Sequence, residues 1–183
     1  PGTIWGADEA FISSPRLDDL QCAYASLQGL LSAENSFSVP VMAVFDNEEV
    51  GSGTKQGADS SFLEDVLRRI NRGLNRSDEQ YLTAIASSFM VSADNAHAVH
   101  PNHGEKADPT NRPYMNGGVV IKYHANQQYT TDGVSAALFK ALCARANVPC
   151  QSFTNRSDMN GGSTLGNISN AHVALNTVDI GLP

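Results

Sequence analysis

The sequence lacks the features that mark membrane-spanning and nucleic-acid-binding proteins. No apolar run approaches the roughly 20 residues that cross a bilayer, and the first residues do not have the pattern of a signal peptide. Lys and Arg number 12 against 19 Asp and Glu, the net charge is −7, and no basic tract is present. An acidic surface is a poor partner for nucleic acids and anionic membranes. We therefore expect a soluble, cytoplasmic protein with no nucleic-acid or membrane partner.

Cysteine is also scarce. The 3 cysteines are Cys22, Cys143 and Cys150, and none forms a CxxC pair. An odd count without that spacing argues against a disulfide framework and against a thiolate zinc site. We expect buried or inert thiols.

The apolar residues are arranged as in an α/β domain. The chain has 183 residues, of which 41% are hydrophobic and 17% are charged, enough for one domain with a substantial core. Helical spacing predicts three main helices, over residues 17–31, 62–74 and 134–142. One face of the first helix is expected to belong to the core, and Asp132 or Thr131 is a candidate N-cap of the third. Short apolar runs predict strands at residues 39–45, 89–93, 119–121, 151–153 and 177–180. Alternation of strands and helices favours a largely parallel sheet covered on both faces.

Residues 39–52 are the most informative segment, because an apolar run leads directly into a carboxylate cluster. The run predicts a short buried strand, and the ligand crevice of an α/β sheet lies beyond the carboxyl end of such a strand. Glu48 and Glu49 follow it, and on a turn both can approach one site from different directions. One carboxylate could then ligate a metal while the other acts on a bound water. The alternative is a solvated acidic loop.

Asp18, Glu49 and Asp94 each lie where a predicted element starts or stops. Three carboxylates that converge would repel one another unless cations neutralise them. A pair of divalent ions would do so. Carboxylates alone suit magnesium, manganese or calcium, whereas zinc usually recruits histidine as well.

The histidines do not form an obvious metal triad. His97, His100 and His103 are three residues apart, but Pro101 interrupts the helix that would place them on one face. We interpret them as loop residues that line a cleft. Lys122 ends a predicted strand, where it could bind an acidic substrate group or be solvated.

Four segments, in order, resemble the aspartyl aminopeptidase family of dinuclear zinc exopeptidases. They are residues 14–20 (SPRLDDL), 46–52 (DNEEVGS), 92–102 (SADNAHAVHPN) and 161–166 (GGSTLG). The resemblance extends over nearly the whole chain. It implies a three-layer α/β/α sandwich of the zinc-exopeptidase type, with a mixed, mostly parallel sheet. It also implies a metallo-aminopeptidase that uses two zinc ions per site.

The resemblance implies a role for each matching carboxylate. Asp18 would bridge the two zinc ions, Glu49 would ligate one ion, and Asp94 would ligate the other. Glu48 would be the general base, which takes a proton from the attacking water and returns it to the leaving amine.

The same resemblance implies where the substrate binds. His97 and Lys122 align with positions that contact substrate, and Glu48 also lies against the peptide. A cationic pocket favours peptides whose first residue is Asp or Glu, by charge pairing.

The departures from the family leave alternatives open. Members complete the zinc shell with two histidines that have no counterpart in residues 1–183, and the family's inserted dimerisation domain has none either. We therefore expect part of a catalytic domain, without its N-terminal portion and C-terminal end, that is weakly active or inactive alone. The full-length protein would be a homo-oligomer. Two alternative hypotheses for the function remain. The protein could be a non-catalytic scaffold module, or a related dinuclear zinc aminopeptidase that prefers a neutral N-terminal residue.

Overall fold

A computed structural model describes residues 1–34 and 37–183. These residues form two compact units, Pro1–Met42 and Ala43–Pro183.

The first unit contains a hairpin and a helix. Strands β1 (Thr3–Trp5) and β2 (Phe11–Ser13) pair antiparallel, and the Trp5 and Phe11 rings stack with centroids 4.8 Å apart. Helix α1 (Leu17–Leu31) follows and confirms the helix predicted from spacing. The hairpin did not follow from the sequence.

Two expectations about apolar residues in this part of the chain are wrong. Helix α1 was expected to have a core face, but its only buried residue is Cys22, because burial needs a second apolar surface as well as an apolar stripe. Residues 39–45 were expected to form a buried strand. No strand is assigned there, and Val41 and Val44 are 51% and 61% exposed. A strand needs a hydrogen-bonded neighbour, and no strand of the described residues pairs with this run.

The second unit is built on a four-stranded sheet. Its strands are β3 (Phe89–Ala93), β4 (Val119–Tyr123), β5 (Cys150–Thr154) and β6 (Asn176–Gly181). Their order is β3-β6-β4-β5. The β3·β6 and β4·β5 pairs are parallel and the β4·β6 pair is antiparallel. The mixed, mostly parallel sheet expected from the sequence is thus confirmed.

Four helices belong to this unit: α2 (Phe62–Gly73), α3 (Asp78–Ala86), α4 (Gly133–Arg145) and α5 (Leu165–Asn170). Successive residues of a strand point to opposite faces. Ala136 of α4 packs with Ile121 and Val178 on one face. On the other face α5 contacts β3 and β6, where Gly166 lies against Asp179. Helices therefore cover both faces, as an α/β/α arrangement requires.

Two helices of this unit begin at capping residues that can be recognised in the sequence. Of the two N-cap candidates, Asp132 and Thr131, it is Asp132 that caps α4, and its side chain accepts a hydrogen bond from Ser135 N at 2.7 Å. Helix α3 was not predicted, although Ser77 and Gln80 form a capping box at its start. This serine-x-x-glutamine pattern is a recognised helix signal. In the part of the chain that the structure describes, no helix has both the length and the apolar character needed to cross a membrane.

Candidate metal and substrate site

Glu48 and Glu49 lie on a tight loop. They form a short 3-10 turn, Glu48–Val50, which Asn47 enters with a left-handed φ of 59°. Ser52 N donates to Asn47 O at 2.9 Å and closes the loop. Glu48 is half-buried and Glu49 is exposed. The pair therefore sits on a turn, the geometry in which adjacent carboxylates can point in different directions, and not on a continuing strand.

Asp94 and Lys122 meet at the carboxyl ends of their strands. Asp94 follows β3 directly, as expected, and Lys122 lies on β4. Lys122 Nζ donates to Asp94 Oδ2 at 3.1 Å and to Asn95 O at 2.8 Å. The Lys122 side chain is only 5% exposed, which rules out a solvated surface lysine. A buried ammonium requires such partners.

Two aromatic rings connect Lys122 with His97. Lys122 Nζ lies 5.9 Å from the centroid of the Tyr129 ring. The Tyr129 and Phe153 centroids are 6.4 Å apart, and the His97 and Phe153 centroids are 6.3 Å apart. Tyr129 and Phe153 are buried with Val120, whereas His97 is exposed. The two predicted substrate residues thus belong to one patch of the second unit, which we call the Lys122 patch: Lys122, Tyr129, Phe153 and His97.

His100 and His103 lie in a loop, as expected from Pro101. The His100 and His103 rings are 5.1 Å apart, and His103 Nδ1 lies 3.2 Å from Glu105 Oε1. The backbone N–H of Glu105 and then the His103 ring lower the pKa of Glu105. These contacts are local, because His103 and its carboxylate partner Glu105 are only two residues apart.

Asp18 belongs to the first unit. It lies in the first turn of α1, where its φ and ψ of −84° and 108° are not helical, and the peptide bond to Asp19 is cis. Its role as a bridging ligand stays a prediction. The ligand roles of Glu49 and Asp94, the base role of Glu48 and the substrate contacts of His97 and Lys122 also stay predictions.

Sequence reasoning overlooked Asp179. This carboxylate lies on β6, is completely buried, and accepts hydrogen bonds from Thr164 Oγ1 at 2.7 Å and from Thr130 N. The sequence pattern that indicates a buried carboxylate is present, since Asp179 is a lone acid between Val178 and Ile180 in an apolar run. Buried aspartates are rare unless their oxygens are paired.

The chain belongs to the aminopeptidase I zinc metalloprotease family (M18), whose family model matches residues 1–183. It is 54% identical over 182 residues to a probable M18 family aminopeptidase 2 from Clostridium novyi, covering 100% of this chain and 42% of that protein. It is 44% identical over 190 residues to a probable aspartyl aminopeptidase from Ricinus communis, covering 100% of this chain and 39% of that protein.

Solved structures show the same fold. The S. cerevisiae mApe1 dodecamer superimposes with a TM-score of 0.80 at 29% identity, covering 98% of this chain and 41% of that chain. The M18 resemblance read from the four motifs and the α/β fold class are both confirmed. The 183 residues span about two fifths of the length of these relatives.

Proposed function

We propose that the protein containing these residues is a zinc-dependent aminopeptidase that removes an N-terminal Asp or Glu from peptides. The supporting observation is the hydrogen bond between Lys122 and Asp94. It joins a candidate substrate-binding cation, Lys122, to a candidate metal ligand, Asp94. Membership of the M18 family supports the peptidase chemistry. The name of the Ricinus communis relative, aspartyl aminopeptidase, supports the acidic preference.

These residues supply only part of a zinc shell. Carboxylate oxygens, such as those of Glu49 and Asp94 in the second unit and of Asp18 in the first, are ligands that zinc accepts at about 2.0–2.2 Å, and the two histidines that the family resemblance implies would complete the shell. Lys122 donates to one oxygen of Asp94, the kind of outer hydrogen bond that orients a ligating carboxylate. When bound, a pair of zinc ions would polarise the scissile carbonyl and acidify the attacking water.

Residues of this chain transfer the proton and bind the substrate. Glu48 takes a proton from the attacking water and returns it to the leaving amine, as a general base and then a general acid. It also lies against the bound peptide. Asp94 and Asn95 engage two of the three N–H donors of Lys122. The third donor is available to the acidic side chain of the substrate, and His97 at the exposed rim of the Lys122 patch adds a second polar contact.

The assay uses the complete gene product and four peptides that differ only in the first residue: Asp, Glu, Leu and N-acetyl-Asp. We expect release of Asp and Glu, slower release of Leu, and no reaction with the blocked peptide, which has no free amine. A chelator should abolish release, and added zinc should restore it. Fastest release of Leu would favour the neutral-residue alternative. No release from any peptide, with or without zinc, would favour the non-catalytic scaffold.

Two further properties belong to the same proposal. The mApe1 structure is a dodecamer, which supports a homo-oligomer of the complete protein, to be tested by light scattering after size exclusion. The cysteines form no disulfide among the described residues, which is typical of a reducing compartment. A cytoplasmic location is tested by cell fractionation.

A further inference from the structure

Asp179 occupies a central position beside the Lys122 patch. It is fully buried on β6, and its register partner on β3 is Ser92. The antiparallel register of β4 and β6 places it opposite Lys122, on the same face of the sheet. No Lys, Arg or His side chain of residues 1–34 and 37–183 forms an ion pair with it. Hydrogen bonds must therefore compensate its desolvation.

Those hydrogen bonds come from two separate loops. Thr164 Oγ1, in the glycine-bearing loop before α5, donates to Asp179 Oδ1 at 2.7 Å. Thr130 N, in the loop after β4, donates to Asp179 Oδ2. The backbone N–H of Asp179 donates to Thr131 Oγ1 at 2.9 Å. One residue thus ties both loops to the centre of the sheet.

The two loops also bind each other. Thr164 N donates to Gln128 O at 3.3 Å. With its amide nitrogen facing the glycine loop, Gln128 donates to Gly161 O at 3.0 Å and to Gly162 O at 3.3 Å. The loop after β4 carries Tyr129, whose ring lies beside Lys122. Displacement of either loop would therefore change the wall next to the Lys122 ammonium.

We propose that Asp179 is a positioning residue for the substrate site, holding in place residues 128–131, whose Tyr129 ring lies beside Lys122, and residues 161–164, which bind residues 128–131. The effect of Asp179 on KM rests on the proposed function. Its effect on the order of the two loops does not. The role depends on hydrogen-bond geometry and not on negative charge. An asparagine can accept from Thr130 N and donate to the Thr164 hydroxyl, which can act as an acceptor. An alanine can do neither.

The first test measures backbone hydrogen exchange by mass spectrometry in the complete gene product. In Asp179→Ala, we expect faster exchange in residues 128–131 and 161–164, because local opening becomes easier when anchoring bonds are lost. Asp179→Asn should exchange like the wild type. The control is Ser77→Ala, which removes the cap of α3 and leaves both loops intact. If Asp179→Ala does not fold, Thr164→Val removes one of the bonds and should accelerate exchange in residues 161–164.

A second pair of variants perturbs Asp179 by crowding its carboxylate. A Cβ on Gly166 would lie 2.6 Å from Asp179 Oδ1 and 2.6 Å from Ser92 Oγ, whereas a Cβ on Gly162 would meet no atom of the described residues within 4 Å. Gly166→Ala should therefore accelerate exchange in the same two loops. Gly162→Ala, a change of the same size in the neighbouring loop, should not.

The kinetic test separates positioning from general damage. For an N-terminal Asp peptide, we expect Asp179→Ala to raise KM by roughly tenfold or more, since small displacements of binding groups are costly, with a much smaller change in kcat. Asp179→Asn should restore the wild-type KM. Unchanged exchange in Asp179→Ala, or an Asp179→Asn as impaired as Asp179→Ala, would overturn the positioning role. A wild type that releases no residue would overturn the proposed function alone, because the exchange result still decides the role of Asp179.

Discussion

The Lys122 ammonium donates to Asp94 Oδ2 at 3.1 Å from a side chain that is 5% exposed. This contact joins a candidate zinc ligand to a candidate substrate-binding residue, although 28 positions separate them. A change at Lys122 should therefore affect metal binding as well as substrate binding. Each variant is made in the complete gene product.

Replacing Lys122 with Met should weaken zinc binding, because Asp94 loses the donor that orients its carboxylate. Outer-shell losses of this kind cost about 10–100-fold in metal affinity. Calorimetric zinc titration with a competing chelator measures the change. The matched control is Lys140→Met, an exposed lysine of α4 near the Tyr123 ring. Equal zinc affinity in Lys122→Met and wild type would contradict the coupling.

Replacing Glu48 with Gln should remove proton transfer without removing zinc. The size and the hydrogen-bonding oxygen are kept, but the amide cannot take a proton, so kcat should fall by about 10²–10⁴-fold. Zinc content measured by elemental analysis should stay at the wild-type level. Glu79→Gln, an exposed change on α3, should leave both quantities unchanged. An active Glu48→Gln enzyme would exclude Glu48 as the base.

Replacing Gly57 with Ala should disturb the loop that carries Glu48. A Cβ at this position would lie 2.0 Å from the backbone oxygen of Ser52, so the backbone must move. Overpacking of this kind typically costs about 1–3 kcal/mol. Gly53→Ala is the matched control, since in the part of the chain that the structure describes its Cβ would have one neighbour, the Gly51 backbone oxygen, at 3.9 Å. Thermal unfolding should show a lower Tm for Gly57→Ala only, and similar Tm values would argue against the close approach.

Replacing Asp132 with Ala should destabilise α4 through loss of its N-cap. The carboxylate accepts from Ser135 N at 2.7 Å, and Ser135 Oγ accepts from Asp132 N at 3.0 Å. Loss of an N-cap side chain costs about 1 kcal/mol, whereas Asn caps as well as Asp. Denaturant unfolding should therefore rank Asp132→Asn near wild type and Asp132→Ala below it. Equal loss in both variants would show that the charge matters more than the cap.

The same cap predicts a pH dependence. The N–H and hydroxyl of Ser135 lower the pKa of Asp132 from its ordinary value of 3.8. A lowered folded-state pKa contributes stability that is present above the unfolded pKa and is lost as pH falls through the folded pKa. The difference in stability between wild type and Asp132→Asn should be constant above about pH 5 and shift against wild type in more acidic solution. Melting curves between pH 3 and pH 7 test this, and a parallel pair of curves would refute it.

Much of the secondary structure could be predicted from local pattern. The apolar residues of α2 and α4 recur with helical spacing, and Asp132 marks where α4 begins. The short apolar runs ended at Asp94 and near Lys122, where the structure ends β3 and β4. Helix α3 was overlooked although its cap was readable, because its apolar pattern is weak. The failures at α1 and residues 39–45 share one cause: an apolar pattern predicts that burial is favourable, but not that a covering surface is present.

The sequence by itself determined the family, the main helices and the carboxylates available for chemistry, since motif order and residue spacing are local properties of the chain. Only the tertiary structure decided the strand order, the burial of Lys122 against Asp94, and the hydrogen bonds that join Asp179 to two loops. Those relationships arise from register between strands that are far apart in the chain. A single aspartate in an apolar run has no defined partner until neighbouring strands and the loops above them are brought onto the same face.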